Sequence, residues 1–462
     1  MNTQVVLITL VVYLGALLAV GVWASQRSKN KSDYFIGGRG LGSVVSALSY
    51  AASSSSAWSI LGISGIAFVQ GISAIWMIPG TLSGHLFVWF VLAPKLRERA
   101  HTGQHITLTD VIVENASDKG KRRIQILATA IITFSFLFYI AAQFQGAANT
   151  FVSVFGSGET LSLLVGAGIV VCYTLMGGFW AVSVTDGIQG LLMLVASLLL
   201  PAYALFAIND WPQFMHLTFT QGSLVNNYQG MLAAGFVVGL LSVGFGPLGQ
   251  PHLLTRIMAI STVTALRRAR LIAISWFVIV LLGMFFLGLV AHALGLESPN
   301  PENVFFVTAE ALLPELLSGV LVAAVLSAIM STADSQLLVA ASAFGHDLKR
   351  RSLTAGRGFL VGLSVLAVVI ALYLPDDIFN RVLFAWNALG ATFGPVLIAR
   401  LWRWNNSDTQ ILSAMASGFV LTVCFYLLPN AVGDILERAA PFLLGLMYLR
   451  VNKNRCENHA AN

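Results

Sequence analysis

Apolar runs follow one another along almost the whole of this 462-residue chain, and each is long enough to cross a bilayer. A helix rises about 1.5 Å per residue, so roughly 18–20 apolar residues span the hydrocarbon core, where each backbone N–H and C=O must be satisfied within the segment. Such runs can only be helices. Thirteen spans are expected, at about 4–25, 40–70, 72–96, 124–150, 161–180, 184–208, 229–247, 272–298, 314–344, 358–375, 381–402, 409–428 and 433–450. The last begins unfavourably, with Asp434, Glu437 and Arg438, and the span at 229–247 is short and glycine-rich. Only 10% of residues are charged, against about 25% in soluble domains, so the fold class is an all-α integral membrane protein. The polar intervals at about 97–123 and 209–228 read as loops, and 1–462 as a single transmembrane domain. The first run, Val5 to Ala24, exceeds a signal-peptide core and lacks a cleavage site, so it is expected to be retained.

Charge placement supports that span count. With the N-terminus outside, the inside loops are 26–39, 97–123, 181–183, 248–271, 345–357, 403–408 and the tail. Together with adjoining span ends they hold 24 of the 26 Lys and Arg, all but Arg381 and Arg438. The clusters are Arg27/Lys29/Lys31, Lys119/Lys121/Arg122/Arg123, Arg267/Arg268/Arg270 and Lys349/Arg350/Arg351. Basic short loops stay on the cytoplasmic side, so a multi-pass plasma-membrane protein is expected, N-terminus outside and C-terminus cytoplasmic. The net charge of +6 therefore implies no nucleic acid. The expected partners are membrane lipid and a small-molecule solute, with no obligatory protein partner. Cys172, Cys424 and Cys456 form neither a disulfide framework nor a metal-ligand spacing.

Two spans are expected to be broken. The second carries four consecutive serines in Ser49-Tyr-Ala-Ala-Ser-Ser-Ser-Ser-Ala-Trp58, and serine side chains compete for backbone hydrogen bonds. The seventh carries Gly244-Phe-Gly-Pro-Leu-Gly-Gln-Pro251, where two prolines remove donors and three glycines add freedom. Two unrelated kinks would be the plainer account. However, the breaks lie five spans apart, and an odd separation gives the two halves opposite orientation. That pattern predicts an inverted-repeat transporter with repeats at about 40–208 and 229–402.

A broken helix frees carbonyl oxygens at one half-helix end and amides at the other. Carbonyls freed near Ala52 and Ser55 can coordinate a cation. A partner face lies in Leu326-Ser-Ala-Ile-Met-Ser-Thr-Ala-Asp-Ser-Gln-Leu-Leu338, where Ala328, Ser331, Thr332 and Ser335 recur at i, i+3, i+4 and i+7. Hard cations prefer oxygen cages. The C=O of Ala328 and the hydroxyls of Ser331 and Thr332 would complete such a cage for sodium with Ala52 and Ser55. Small hydroxyl residues also serve close helix packing, but Asp334 stands one residue off the face, at a depth where charge costs roughly 2.5–3.5 kcal/mol. Asp186 could form a second sodium position with Ser331, Asp334 and Ser335, or could cap the start of its helix with Thr185. Tyr139 and Gln143, at i and i+4, share a face and need polar partners. Trp58 follows the first break and Phe245 lies in the second. Each alone would be core packing, and together they point to a solute pocket. Gln250 and His252 would gate, pack or touch ligand near the cytoplasmic end of their span.

At these residues the chain resembles the sodium/solute symporter family, and within it the bacterial sodium/proline symporters. The resemblance rests on Ser32-Asp-Tyr-Phe-Ile-Gly-Gly-Arg-Gly-Leu-Gly42, Ala181-Val-Ser-Val-Thr-Asp186, Gly249-Gln-Pro-His-Leu-Leu-Thr-Arg-Ile-Met-Ala259 and Met330-Ser-Thr-Ala-Asp-Ser-Gln-Leu-Leu338, in family order along nearly the whole chain. It implies a LeuT-like core of five plus five spans, with one extra span before and two after, in a bacterial inner membrane. It also implies solute uptake driven by sodium. By position it puts a sodium site on Ala52, Ser55, Ala328, Ser331 and Thr332, and an additional ion near Asp186, Ser331, Asp334 and Ser335. It implies solute contacts at Tyr139 and Trp58, and the full set of candidate solute-binding residues is Ser53, Ser54, Trp58, Tyr139, Gln143, Phe245 and Pro247. The chain departs from the proline symporters at Ser54, where they carry an acidic residue, and at Val243 and Pro247, where they carry aromatic ones. Proline, another amino acid, a sugar acid or another small carboxylate therefore all stay open as solute, as does proton coupling through Asp186 or Asp334.

Two other classes of function compete with transport. A membrane solute sensor would resemble this domain when fused to a kinase, but the chain ends about a dozen residues after its last expected span. An intramembrane enzyme would need a motif such as His-Glu-x-x-His or Gly-x-Ser-x-Gly, and neither occurs, so a transporter is expected and not an enzyme.

Overall fold

The computed structural model describes residues 3–25, 31–176, 178–348, 352–374, 378–428 and 432–453. The basic residues Arg27, Lys29, Lys349, Arg350 and Arg351, and also Cys456, lie outside them. Among the described residues the secondary structure is helical, apart from an isolated parallel bridge between Leu41 and Ile260. Ten helices there are long and apolar enough to cross a membrane, with Trp58–Thr102 counted as one, and Glu159–Cys172 is a shorter apolar helix.

Burial sorts these helices into inner and outer sets. The most apolar windows of Leu317–Leu348 and Ile378–Leu401 are 89% and 94% buried by protein, against 22% for Gln4–Trp23 and 28% for Asp408–Leu427. The first two therefore form the centre of the bundle, and the other two face outward. The polar residues at the centre are tolerated because protein, not lipid, surrounds them.

Both expected breaks are present. Helix Ser43–Ser54 stops at Ser55, whose φ/ψ of −98/71° leaves the helical region, and the chain turns through Ser55 and Ser56 before the helix resumes at Ala57. In the second, helix Gly230–Leu241 tightens into a 3₁₀ stretch, Ser242–Gly249, and Gln250 is extended (ψ 107°). Helix Pro251–Met258 follows, with its proline in the first turn, where a missing N–H costs nothing. Residues 251–258 are expected in a loop, yet all eight are buried in this helix. The apolar run stops at the prolines, and the polar His252 and Arg256 disguise a segment that protein covers.

The two broken segments are tied at the face that carries the basic loops. There Leu41 N donates to Ala259 O (3.1 Å) and Ser261 N to Leu41 O (3.0 Å). Helix Met77–Phe87 crosses the 3₁₀ stretch with backbone against backbone. A Cβ on Gly84 would collide with the Gly244 carbonyl oxygen, so only glycine allows this approach. The interval 97–123 is also more ordered than a loop. It holds a capping box on helix Leu108–Ile112, formed by Thr107 and Asp110, and the Ser117-capped start of helix Asp118–Phe155. At 38 residues, that helix is about 57 Å long, so its basic first turns extend past the hydrocarbon layer.

Candidate functional site

The first break lies against the middle of helix Glu315–Ser342. Ending a helix leaves its last carbonyls without partners, and side chains supply them here. The Ser331 hydroxyl donates to Ala52 O (3.1 Å) and to Ala328 O (3.3 Å), and the Thr332 hydroxyl to Ser53 O (3.2 Å). The Trp58 indole reaches Ser54 O at 3.4 Å. Ser55 Oγ is buried with no hydrogen-bond partner among the described residues. The structure thus brings Ala52, Ala328 and Ser331 into direct contact, with Thr332 one carbonyl away on Ser53. This seam is rich in oxygen acceptors and buried, the ligand chemistry that a hard cation takes.

A second cluster continues from the seam. Asp186 does not cap its helix. It lies within Phe179–Phe206, whose N-cap is Gly178, and is fully buried, while the Thr185 hydroxyl bonds back to Ala181 O and Val182 O. Asp186 Oδ2 accepts from Ser49 Oγ (2.6 Å), Ser53 Oγ (3.2 Å) and Arg256 Nη2 (2.8 Å). The same guanidinium donates to Ser49 Oγ (2.7 Å), to His252 O (2.6 Å) and to Ser335 Oγ. Ser335 in turn meets Ser53 (3.0 Å) and donates to Asp334 Oδ1 (3.1 Å). Asp186, Asp334 and Ser335 are therefore gathered as the sequence suggests, with an arginine it does not reveal. The cluster holds two carboxylates and one guanidinium. Asp186 Oδ1 and Asp334 Oδ2 are left buried with no partner among the described residues. Buried charge is rarely left uncompensated, so the cluster is suited to take up one further cation.

Aromatic and amide groups close over the opposite side of the break. The Trp58 and Trp386 rings meet edge to face at 5.3 Å. Trp386 Nε1 donates to Tyr139 Oη (3.0 Å), which donates to Ser56 Oγ (3.4 Å), and Gln143 Oε1 accepts from Ala57 N (3.1 Å). Gln143 Nε2 has no partner among the described residues. Ser54 Oγ lies 3.4 Å from His85 Nε2, whose ring stacks on Phe277 at 3.9 Å and shares its other nitrogen with Tyr50 Oη (3.1 Å). Three expected pocket residues lie elsewhere. Phe245 stacks on Phe442 at 4.5 Å on the last helix, and Ser53 turns its hydroxyl to Asp186 and Ser335 in the second cluster, while Pro247 stands in the 3₁₀ stretch. Gly246 takes the place facing Trp386, where a Cβ would come within 2.7 Å of the indole. Arg256, His85 and Trp386 are the residues that sequence reasoning misses. A lone ionisable residue in an apolar span is a signal of function and would flag His85. Arg256 is hidden in a segment that reads as a basic loop.

Comparison with known proteins follows the same lines. The model of the sodium:solute symporter family matches residues 34–418. Proteins of Staphylococcus aureus strains JH9 and NCTC 8325, each described as "Sodium/proline symporter", are 33% identical over 435 residues, 90% of this chain and 85% of theirs. Among solved structures, a sodium-coupled sialic acid symporter in a substrate-bound outward-open state superposes with a TM-score of 0.81 at 15% identity, over 97% of this chain and 98% of that one. A nucleobase-cation-symport-1 family transporter in a closed conformation superposes with a TM-score of 0.59 at 12% identity, covering 92% and 95%. At these identities the two structures speak to the fold alone.

Proposed function

Because the chain belongs to the sodium:solute symporter family, we propose that it imports a small organic solute on the sodium gradient, with proline or another amino acid as cargo. Membership makes it a multi-pass, sodium-coupled solute transporter and not an enzyme. The observation that carries the mechanism is the seam where Ser331 and Thr332 meet the carbonyls freed by the first break. Sodium held by Ala52, Ser55, Ala328, Ser331 and Thr332 would join helix Ser43–Ser54 to helix Glu315–Ser342. The hydroxyl protons then turn outward and the oxygens face the ion. Joining the two helices orders the break, and the break carries Ser54, Ser56 and Trp58 on the solute side, with Ser53 turned to the second cluster. Ion and solute each favour the other's binding for that reason, by a reciprocal coupling.

The solute would lie among Trp58, Tyr139, Gln143, His85 and Trp386. The free Gln143 amide is a donor for a carboxylate, and the indoles cover an apolar ring. The Asp186–Asp334–Arg256 cluster would take the second cation, sodium or a proton. In this reading thirteen spans form a LeuT-like core with inverted repeats at about 40–208 and 229–402, one helix before it and two after. The N-terminus lies outside and the C-terminus in the cytoplasm of a bacterial cell. Proteoliposomes with an imposed inward sodium gradient, offered labelled proline, other amino acids, sugar acids and small carboxylates, test this reading. Sodium-stimulated accumulation of proline or a related amino acid is expected. Accumulation of a sugar acid alone would replace the cargo, and no accumulation across the panel would overturn the reading.

A further inference from the structure

One large cleft lies apart from the transport machinery, on the face that carries the basic loops. It has a volume of about 990 Å³ and opens between the ends of helices Ala93–Thr102 and Ile378–Leu401. Four cations, Lys95, Arg99, Arg400 and Arg403, line it against two carboxylates, Glu98 and Glu114. Glu114 is already held by Arg99 (2.9 Å) and lies 3.5 Å from His105. The cleft is therefore positive, and its excess charge is not neutralised by its own acids.

Arg400 separates this cleft from an ordinary solvated basic rim. Its residue is 5% exposed, its Nε donates to Ile112 O (2.9 Å), and its Nη2 is buried with no partner among the described residues. A buried guanidinium with a free N–H is costly unless something accepts from it. Around it the chain holds further donors in place. Lys95 Nζ sits 5.0 Å over the ring of Trp402, and Arg403 adopts a left-handed φ of 54° as the chain turns after the helix. Trp402 and Trp404 also line the cleft, at the level where membrane helices end and amphipathic rings collect.

We propose that this cleft is a binding site for an anionic phosphate, supplied by the headgroup of an acidic phospholipid. A phosphate offers several acceptor oxygens, a match for the planar donor edge of a guanidinium. Basic pockets between helix ends on this face are suited to acidic headgroups. Arg400 would bond the phosphate from within, Lys95 and Arg403 would close over it, and the two indoles would rest against the glycerol and upper chains.

The full-length protein in phosphatidylcholine nanodiscs containing a small fraction of phosphatidylglycerol provides the test. Phosphatidylglycerol kept after extraction into mild detergent is counted per chain by native mass spectrometry. Wild type should keep one such lipid. The double variant Lys95→Gln/Arg403→Gln leaves the Arg400–Ile112 bond intact and should keep at least tenfold less, and Arg400→Gln should do the same if it folds. A second arm titrates inorganic phosphate and glycerol 3-phosphate against delipidated protein by thermal shift. Saturable stabilisation there, lost in the same variants and without lipid retention, would support the phosphate site and move its source to a soluble compound. Equal retention in wild type and variants, or no saturable response in either arm, overturns the proposal.

Discussion

Replacing Arg256 with Gln is the sharpest perturbation the structure offers. The guanidinium donates to Asp186 (2.8 Å), Ser49 (2.7 Å), the His252 carbonyl (2.6 Å) and Ser335, all of them buried. Removing one partner of a buried ion pair typically costs about 3–5 kcal/mol, because the other charge is left uncompensated. Asp186 keeps its bonds from Ser49 and Ser53, and hydrogen bonds to charged groups contribute about 1.5–3 kcal/mol each, so the lower end of the range is expected. At roughly 2 °C per kcal/mol for a large chain, the melting temperature should fall by about 6 °C. The double variant Asp186→Asn/Arg256→Gln removes both charges and leaves amides that can bond each other. It should recover most of the loss, with a coupling of at least about 2 kcal/mol. The assay is thermal unfolding of purified protein at fixed sodium, lipid and solute, since each bound ligand shifts the midpoint. If the two single losses simply add, to within about 0.5 kcal/mol, the pair is not coupled and the charge count at the second cation position is wrong.

Other expectations concern the seam, the pocket and the basic face. Ser331→Ala or Thr332→Ala should raise the sodium concentration for half-maximal uptake by about tenfold, equivalent to about 1.4 kcal/mol for one lost oxygen. Sodium titrations of initial uptake rate check this, and unchanged curves would exclude both hydroxyls from the ion site. Tyr139→Ala removes the acceptor of the Trp386 indole and should raise the half-saturation for solute several-fold at saturating sodium. A shift confined to sodium would take Tyr139 out of the pocket. Burial alone would raise the Asp110 carboxyl, but bonds from His346 and from the amides of Ile106 and Thr107 bring it down to about 2. Its folded pKa is thus below the unfolded value near 4, so its stabilisation is complete above that value and is lost as pH falls from about 4 through 2. The melting temperature of Asp110→Asn should accordingly vary less with pH in that window than that of the wild type, and parallel curves would refute the assignment.

Hydropathy and chain chemistry act locally, which is why so much of the architecture is legible in the amino-acid sequence. Transfer of an apolar run into lipid depends on that run alone, so the membrane class follows from single segments. The four serines at 53–56 and the prolines and glycines at 244–251 break helices through their own backbones. Helical spacing likewise places Ala328, Ser331 and Thr332 on one face. It does not say what that face will meet. Ser331 and Ala52 are 279 residues apart, and Arg256 and Asp186 are 70 apart. Such partners are chosen by how whole helices pack, a sum over many weak contacts that no single segment encodes. Packing alone buried Pro251–Met258, sent Phe245 to Phe442 and brought His85 to Ser54. The sequence by itself therefore determined that this chain lives in a membrane, where two of its helices break and which oxygens could serve an ion. Only the tertiary structure decided that an arginine shares the second carboxylate cluster, because a buried charge reveals its partner only once the chain has closed around it.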